Sequence, residues 1–267
     1  LLVLSGDYAG TGIGGGAKPV FDIDSVGLLT LIGRMNAGLD VTRAQSTKPA
    51  RLAPTHFFPG AVVTNFKLHE NEVVPQLLKM EQKIAAGARF FINQIGYDSR
   101  KIHELIAWAR RRGHGQVPLI GNVYVLNGPV ARLFRTQAIP GVVISDELAA
   151  LCEQRAKGPD KGKAFFLELA AKQIAIYRGL GYRGAYLGGV HSGADIARVR
   201  EIERSFGADD WRQFAREIRF SRPGEFFLFP EDSATGLADE SQLNPAYEAS
   251  LRARPRTHNV TFTYRFS

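Results

Sequence analysis

With a single cysteine, Cys152, the chain can close no internal disulfide, and no second thiol is available for a thiolate metal cluster. A reducing, cytoplasmic setting suits that composition. No window approaches the roughly 18 uninterrupted apolar residues of a membrane-spanning helix, so no membrane partner is expected. The first residues, Leu1-Leu2, carry neither a basic region nor a cleavage site, and nothing points to export. The six histidines are scattered. His191 in "GGVHSG" has no partner four residues on, and His103 and His69 each stand beside one glutamate only, so no metal site is expected. A Gly-x-Ser-x-Gly elbow is absent, and Ser192 has no acid partner in the order a hydrolase triad needs. Internal repeats and low-complexity tracts are also missing.

What is present is an ordinary globular composition, 45% hydrophobic and 22% charged, in a chain long enough to bury a sizeable core. The net charge is +8. Its densest run, Arg110-Arg111-Arg112, precedes Gly113 at the end of a helical pattern, where cations complement the helix dipole. No nucleic-acid-binding signature accompanies the charge, so a nucleic-acid partner is not expected; the excess suits a polyanionic small molecule.

Periodicity predicts short apolar strands at 1–6, 60–66, 89–97, 117–126 and 183–190. Helices are predicted at 25–35, 72–87, 99–113, 129–137, 145–156, 162–181 and 194–206. In the helix of 72–87, Val73, Val74, Leu77, Leu78, Met80 and Ile84 form one broad apolar face, and Pro75 is expected in the first turn. Strict alternation of this kind means an α/β chain, a parallel sheet covered by helices. Polar residues gather at or near strand C-terminal ends: Asp7, Asn65, Gln94, Asn122 and His191. That is where β/α barrels keep catalytic groups, although loops and helix caps also place polar residues there. From Phe220 onward the chain is rich in turn formers, giving a domain over 1–218 and an extension over 219–267.

The segment "GTGIGGGAK" formally contains the spacing Gly10-x-Gly12-x-x-Gly15, but "KPVFDID" intervenes before any helix, and a dinucleotide fingerprint must open one directly. The remaining candidates are Asp7, Asn65, Lys67, Lys83 and Gln94, groups able to hold a flat heterocycle and pass protons to it. In "RFFINQIGYD" the two amides Asn93 and Gln94 are adjacent, so in a strand they point to opposite sides.

The stretches "LSGDY", "PVFDIDSVGLL", "NFKLHENEVVPQLLKMEQKIAAGARFFINQIGYDSRK", "PLIGNVYVLNGPVARLF", "IPGVVISDEL" and "GYRGAYLGGVHSG" together resemble the methylenetetrahydrofolate reductase family over about residues 1–206. The resemblance implies a (β/α)8 TIM barrel that binds a flavin and uses NAD(P)H to reduce 5,10-methylenetetrahydrofolate to 5-methyltetrahydrofolate. By that likeness Asp7 lies near flavin and pterin as catalytic and substrate-binding residue, and Gln94 and Phe134 meet the folate. Gly6, Phe21, Asp22, Asp24 and Lys83 contact the FAD, and Asn65 and Lys67 replace flavin-binding groups of the family that have no counterpart in this chain. FMN, or no flavin at all, are the alternatives for the cofactor. The first strand matches the family's fourth, so three β/α units, with the family's general-acid Glu, are expected to be missing. The sheet is then an incomplete barrel of about five strands, a fragment without reductase activity of its own. A flavin-free relative working in demethylation-linked one-carbon transfer and a non-catalytic folate-binding subunit are the other readings, and homo-oligomerisation is left open.

Overall fold

The computed structural model describes residues 1–5, 22–42, 49–137, 139, 141–190 and 192–253. Along the chain these form β1 (Leu2–Val3), α1 (Ser25–Ala37), β2 (Asp40–Thr42), β3 (Pro49–Arg51), β4 (Gly60–Val63), α2 (Glu70–Ala85), β5 (Phe91–Asn93) and α3 (Ser99–Arg111). There follow β6 (Leu119–Tyr124), α4 (Gly128–Arg135), α5 (Asp146–Arg155), α6 (Lys163–Leu180), β7 (Gly184–Gly188), α7 (Gly193–Ser205), α8 (Trp211–Glu217) and α9 (Pro245–Ala253). Strands β1, β4, β5, β6 and β7 make one parallel sheet in that spatial order. Each strand lies beside the next of the sheet's strands in the chain, so the sheet is wound in a single direction and never reverses as doubly wound sheets do. The short antiparallel pair β2–β3, which periodicity does not predict, sits between α1 and β4 and carries an ion pair from Arg51 to Asp40 at 2.9 Å.

Local chemistry starts most helices where expected. Asp24 accepts from the amides of Val26 and Gly27 to cap α1, Asn127 from Val130 to cap α4, Ser145 from Leu148 to cap α5, and Ser192 from Asp195 to cap α7. Helix α2 begins two residues earlier than periodicity predicts, because Glu72 reaches back to the His69 amide at 3.1 Å and closes a capping box. Pro75 therefore falls in the second turn, not the first. The carbonyl left without its amide is that of Asn71, at the exposed start of the helix. The buried residues of α2 are Val73, Leu77, Met80 and Lys83, whereas Leu78 remains 49% exposed, outside the face predicted for it.

The two faces of the sheet differ. Asn93 donates to the Tyr177 hydroxyl of α6 at 2.9 Å, and a β-carbon at Gly121 would overlap the Tyr177 ring. Ala61, Val63, Phe91, Leu119 and Val123, which share that face, are all nearly or fully buried beneath the helices. The residues that alternate with them, Val62, Ile92, Ile120 and Asn122, are only half buried, and Leu4 and Tyr186 are 50% and 57% exposed. Among the described residues this second face is largely uncovered, although Tyr124 meets Phe134 of α4 and Gly141 approaches Thr64 and Gln94, and β1 and β7 pair with no further strand.

Strand β5 is shorter than the predicted 89–97. The Gln94 amide still bonds the Val63 carbonyl of β4 at 2.9 Å, and beyond it the backbone leaves the ladder: Gln173 donates to the Gly96 carbonyl at 2.5 Å, the Tyr97 carbonyl accepts from the Phe220 amide, and Asp98 bridges to Arg219. The segment after α8 then crosses α3, ending in α9. No helix among the described residues is long and apolar enough to cross a membrane.

Candidate functional site

The uncovered face of the sheet carries polar groups in a row above an aliphatic floor. Cα pairing places Val62 level with Ile92, and Ile92 level with Ile120, so these three side chains form one layer. The ladder between β5 and β6 ends at Ile92 and Ile120; two residues further along β6, Asn122 pairs directly with Tyr186, while Gln94 follows β5 on the same side of the sheet. Thr64 joins the row. A β-carbon on Gly141 would lie 3.1 Å from Gln94 Nε2 and 3.6 Å from the Thr64 methyl, so both side chains converge on that glycine. Gly141 also has φ of 77°, a left-handed conformation that favours glycine.

The adjacent amides divide as alternation requires. Asn93 is 2% exposed, gives its Nδ2 to Tyr177 and to the Gln94 carbonyl, and accepts from the Asn122 amide at 2.9 Å. It is a structural tie between β5, β6 and α6. Gln94 faces the other way: its Oε1 accepts from the Ile95 amide at 2.9 Å, while Nε2 has no hydrogen-bond partner among the described residues. The side-chain amide of Asn122 likewise has none.

A second group of predicted residues meets at the β1 side of the sheet. Asp24, besides capping α1, pairs with Lys79 at 3.2 Å. Lys83, one turn further along α2, is buried and donates to the Val62 carbonyl at 2.7 Å. Burial, reinforced by the like charge of Lys79 and opposed by Asp24, pushes the Lys83 amine down to about 8. Lys79 takes the Asp24 carboxylate, and Lys83 has no acid within ion-pair distance among the described residues. An anion such as a phosphate would restore the charge balance, which fits the anionic end of a nucleotide cofactor.

Other predicted residues do not join either group. Asn65 is 3% exposed and points at α3, where its Nδ2 donates to the Lys101 carbonyl at 3.0 Å and its Oδ1 is buried without a partner. The register of β4 sends odd residues to the helical side, and Asn65 continues that direction. Lys67 is half buried near the start of α2, where its charge helps hold the Glu72 carboxyl low, after the larger effect of the His69 amide. Phe134 is 2% exposed, with its ring set edge-on to Tyr124 at 5.2 Å between centroids, so it offers no free face. Asp22 is exposed. Gly6, Asp7, Phe21 and His191, like the glycine-rich 10–16 stretch, lie outside the described residues.

Sequence reasoning missed a buried polar clasp on α3. Lys101 and Glu104, which would be surface positions of an ordinary amphipathic helix, are 0% and 3% exposed and pair at 3.3 Å. The Lys101 amine also donates to the Phe226 carbonyl, and Glu104 Oε1 accepts from the amides of Leu228 and Phe229. Arg100 reaches the Phe229 carbonyl at 2.8 Å and Glu231 at 3.1 Å, with its guanidinium 3.9 Å from the centre of the Phe227 ring. The only hint is "SRKIHE", whose charges are too dense for the apolar stripe a core helix needs. Cys152, by contrast, is buried and its thiol is pushed up to about 12, which leaves it inert.

No protein-family model matches the chain, and no curated protein matches it significantly. What carries a functional reading is therefore the residues and their placement.

Proposed function

We propose that the chain is the folate-binding part of a flavin-dependent reductase of the methylenetetrahydrofolate reductase type, using NAD(P)H, with the parallel sheet forming five strands of a β/α barrel. The observation that carries this reading is the placement of Gln94. It stands at the C-terminal end of its strand, on the uncovered face, with a free Nε2 donor beside Thr64 and the Gly141 backbone. Uniform winding and outer strands that pair with no further strand among the described residues support the barrel, since closure would remove both edges. Lys83, with Lys79 beside it, is suited to the phosphates of a flavin nucleotide. Bound there, a reduced flavin supplies hydride to the substrate. Gln94 orients the pterin ring by donating to its carbonyl edge, and the layer of Val62, Ile92 and Ile120 excludes water beneath it.

The test is titration of the intact chain with folate and with FAD, followed by fluorescence. Gln94→Ala is expected to weaken folate binding about tenfold, the value of one lost hydrogen bond of roughly 1.4 kcal/mol, and to leave FAD binding unchanged. Folate binding equal to wild type in that variant would overturn the assignment. Loss of FAD binding in Lys83→Met, with folate binding kept, would separate the two groups.

A further inference from the structure

The polar row does not stop at Gln94. We infer that Asn122 and Tyr186 form the second half of a ligand ledge, so that a planar heterocycle with neighbouring hydrogen-bond donors and acceptors lies across three strands. The inference rests on the reading above for the face that is occupied, and adds residues and a binding geometry to it.

Three observations carry it. Asn122 lies on the uncovered side, because Gly121 next to it packs against Tyr177 and Val123 is fully buried. Its backbone is engaged on both sides, by Asn93 Oδ1 at its amide and by β7 along the strand, yet its side-chain amide has no partner among the described residues. The Asn122 amide is half buried, reachable from outside and unmatched among the described residues, so it is available to a polar ligand. Tyr186, on the outer strand β7, is paired with Asn122 strand to strand and is 57% exposed, so its ring is accessible beside the Asn122 amide. Below the row, Val62, Ile92 and Ile120 give an apolar floor. Gln94 and Asn122 each offer a donor, Asn122 an acceptor as well, and Tyr186 a ring to stack on. That combination suits a fused pyrimidine ring, whose edge alternates donors and acceptors and whose faces are apolar. A purely aliphatic ligand would leave both amides unpaired.

The experiment measures binding of two probes, folic acid and lumiflavin, to the intact chain and to Asn122→Leu, Tyr186→Phe and Tyr186→Ala, with urea midpoints to verify folding. Asn122→Leu and Tyr186→Ala are each expected to weaken at least one probe five- to tenfold, and Tyr186→Phe to weaken it less than Tyr186→Ala. Because Tyr186 is exposed, its variants keep the test valid if Asn122→Leu fails to fold. Unchanged binding in the Asn122 and Tyr186 variants, with Gln94→Ala still weakened for folate, would overturn the ledge and leave the folate reading intact. Lumiflavin bound with dependence on Asn122 and Tyr186 while folate does not bind would keep the ledge and remove the folate reading. Failure of both probes to bind the wild-type chain would overturn the ledge as well.

Discussion

Replacing Lys101 with Met should destabilise the protein by about 3 kcal/mol, the lower end of the range for breaking a buried ion pair. The reasoning starts from a lysine side chain that is 0% exposed against a glutamate that is 4% exposed. In Lys101→Met the Glu104 carboxylate keeps its two backbone donors, Leu228 and Phe229, but is left without a counter-charge in a dry site. Burial already raises the Glu104 carboxyl above its ordinary range, and losing Lys101 raises it further. The penalty is therefore complete above the folded value and shrinks as pH falls through it. Adding Glu104→Gln removes the orphan charge while retaining an acceptor for both amides, so the double variant should return to within roughly 1 kcal/mol of wild type. Urea unfolding followed by circular dichroism reads both values. With a slope on the order of 3 kcal/mol per molar urea for a chain of this size, the single variant should move the midpoint by about 1 M. A loss under about 1 kcal/mol in Lys101→Met, or a double variant no better than the single, would refute the claim that this pair is a buried, mutually dependent unit.

Two further predictions concern pH. The Lys83 amine, lowered by burial to about 8, holds fewer protons in the folded chain than in the unfolded one between about 8 and its ordinary 10.5, so stability should rise with pH across that window. Lys83→Met should flatten that rise, which amounts to roughly 1–2 kcal/mol after allowing for partial solvent screening, and thermal melts at pH 7.5 and 10 compare the two. A wild-type melting temperature that falls as steeply as the variant's would contradict it. Asp98 is shifted the opposite way in proton count: burial, only partly offset by Arg219 at 3.4 Å, raises its carboxyl to about 6. The folded state then binds more protons than the unfolded between about 4 and 6, and stability falls as pH rises through that range. Asp98→Asn keeps the cap on the Arg100 amide and should remove a decline on the order of 2 kcal/mol, checked by melts at pH 4.5 and 7. An equal pH dependence in both proteins would show that Asp98 is not its source.

Much of the fold is legible because its signals are local. The caps at Asp24, Asn127, Ser145 and Ser192, the glycine after α3 and the alternation of strand and helix all depend on residues within a turn or two of each other. The division of Asn93 from Gln94 follows from the two-residue repeat of a strand, and Asn93 lies in the helical layer as the repeat requires. Other features are decided by partners far along the chain. Periodicity marks Leu78 as core, yet it is exposed, because α2 turns Met80 and Lys83 inward at that level. Asn65 follows its strand's direction into the α3 backbone, away from the uncovered face where a strand-end polar residue is expected.

Residue order alone is enough to dictate an alternating α/β chain with a parallel sheet, the starting points of most helices, and polar side chains at the strand ends. Which of those side chains share a surface is a matter of long-range packing. It sets Asn122 level with Tyr186, brings Thr64 and Gln94 together at Gly141, sends Asn65 to α3, and buries Lys101 with Glu104 beneath a segment more than 120 positions away, as with Glu104 and Leu228. The physical reason is that a strand's repeat settles which side a residue takes, while register between strands and the docking of a distant segment settle what meets it there.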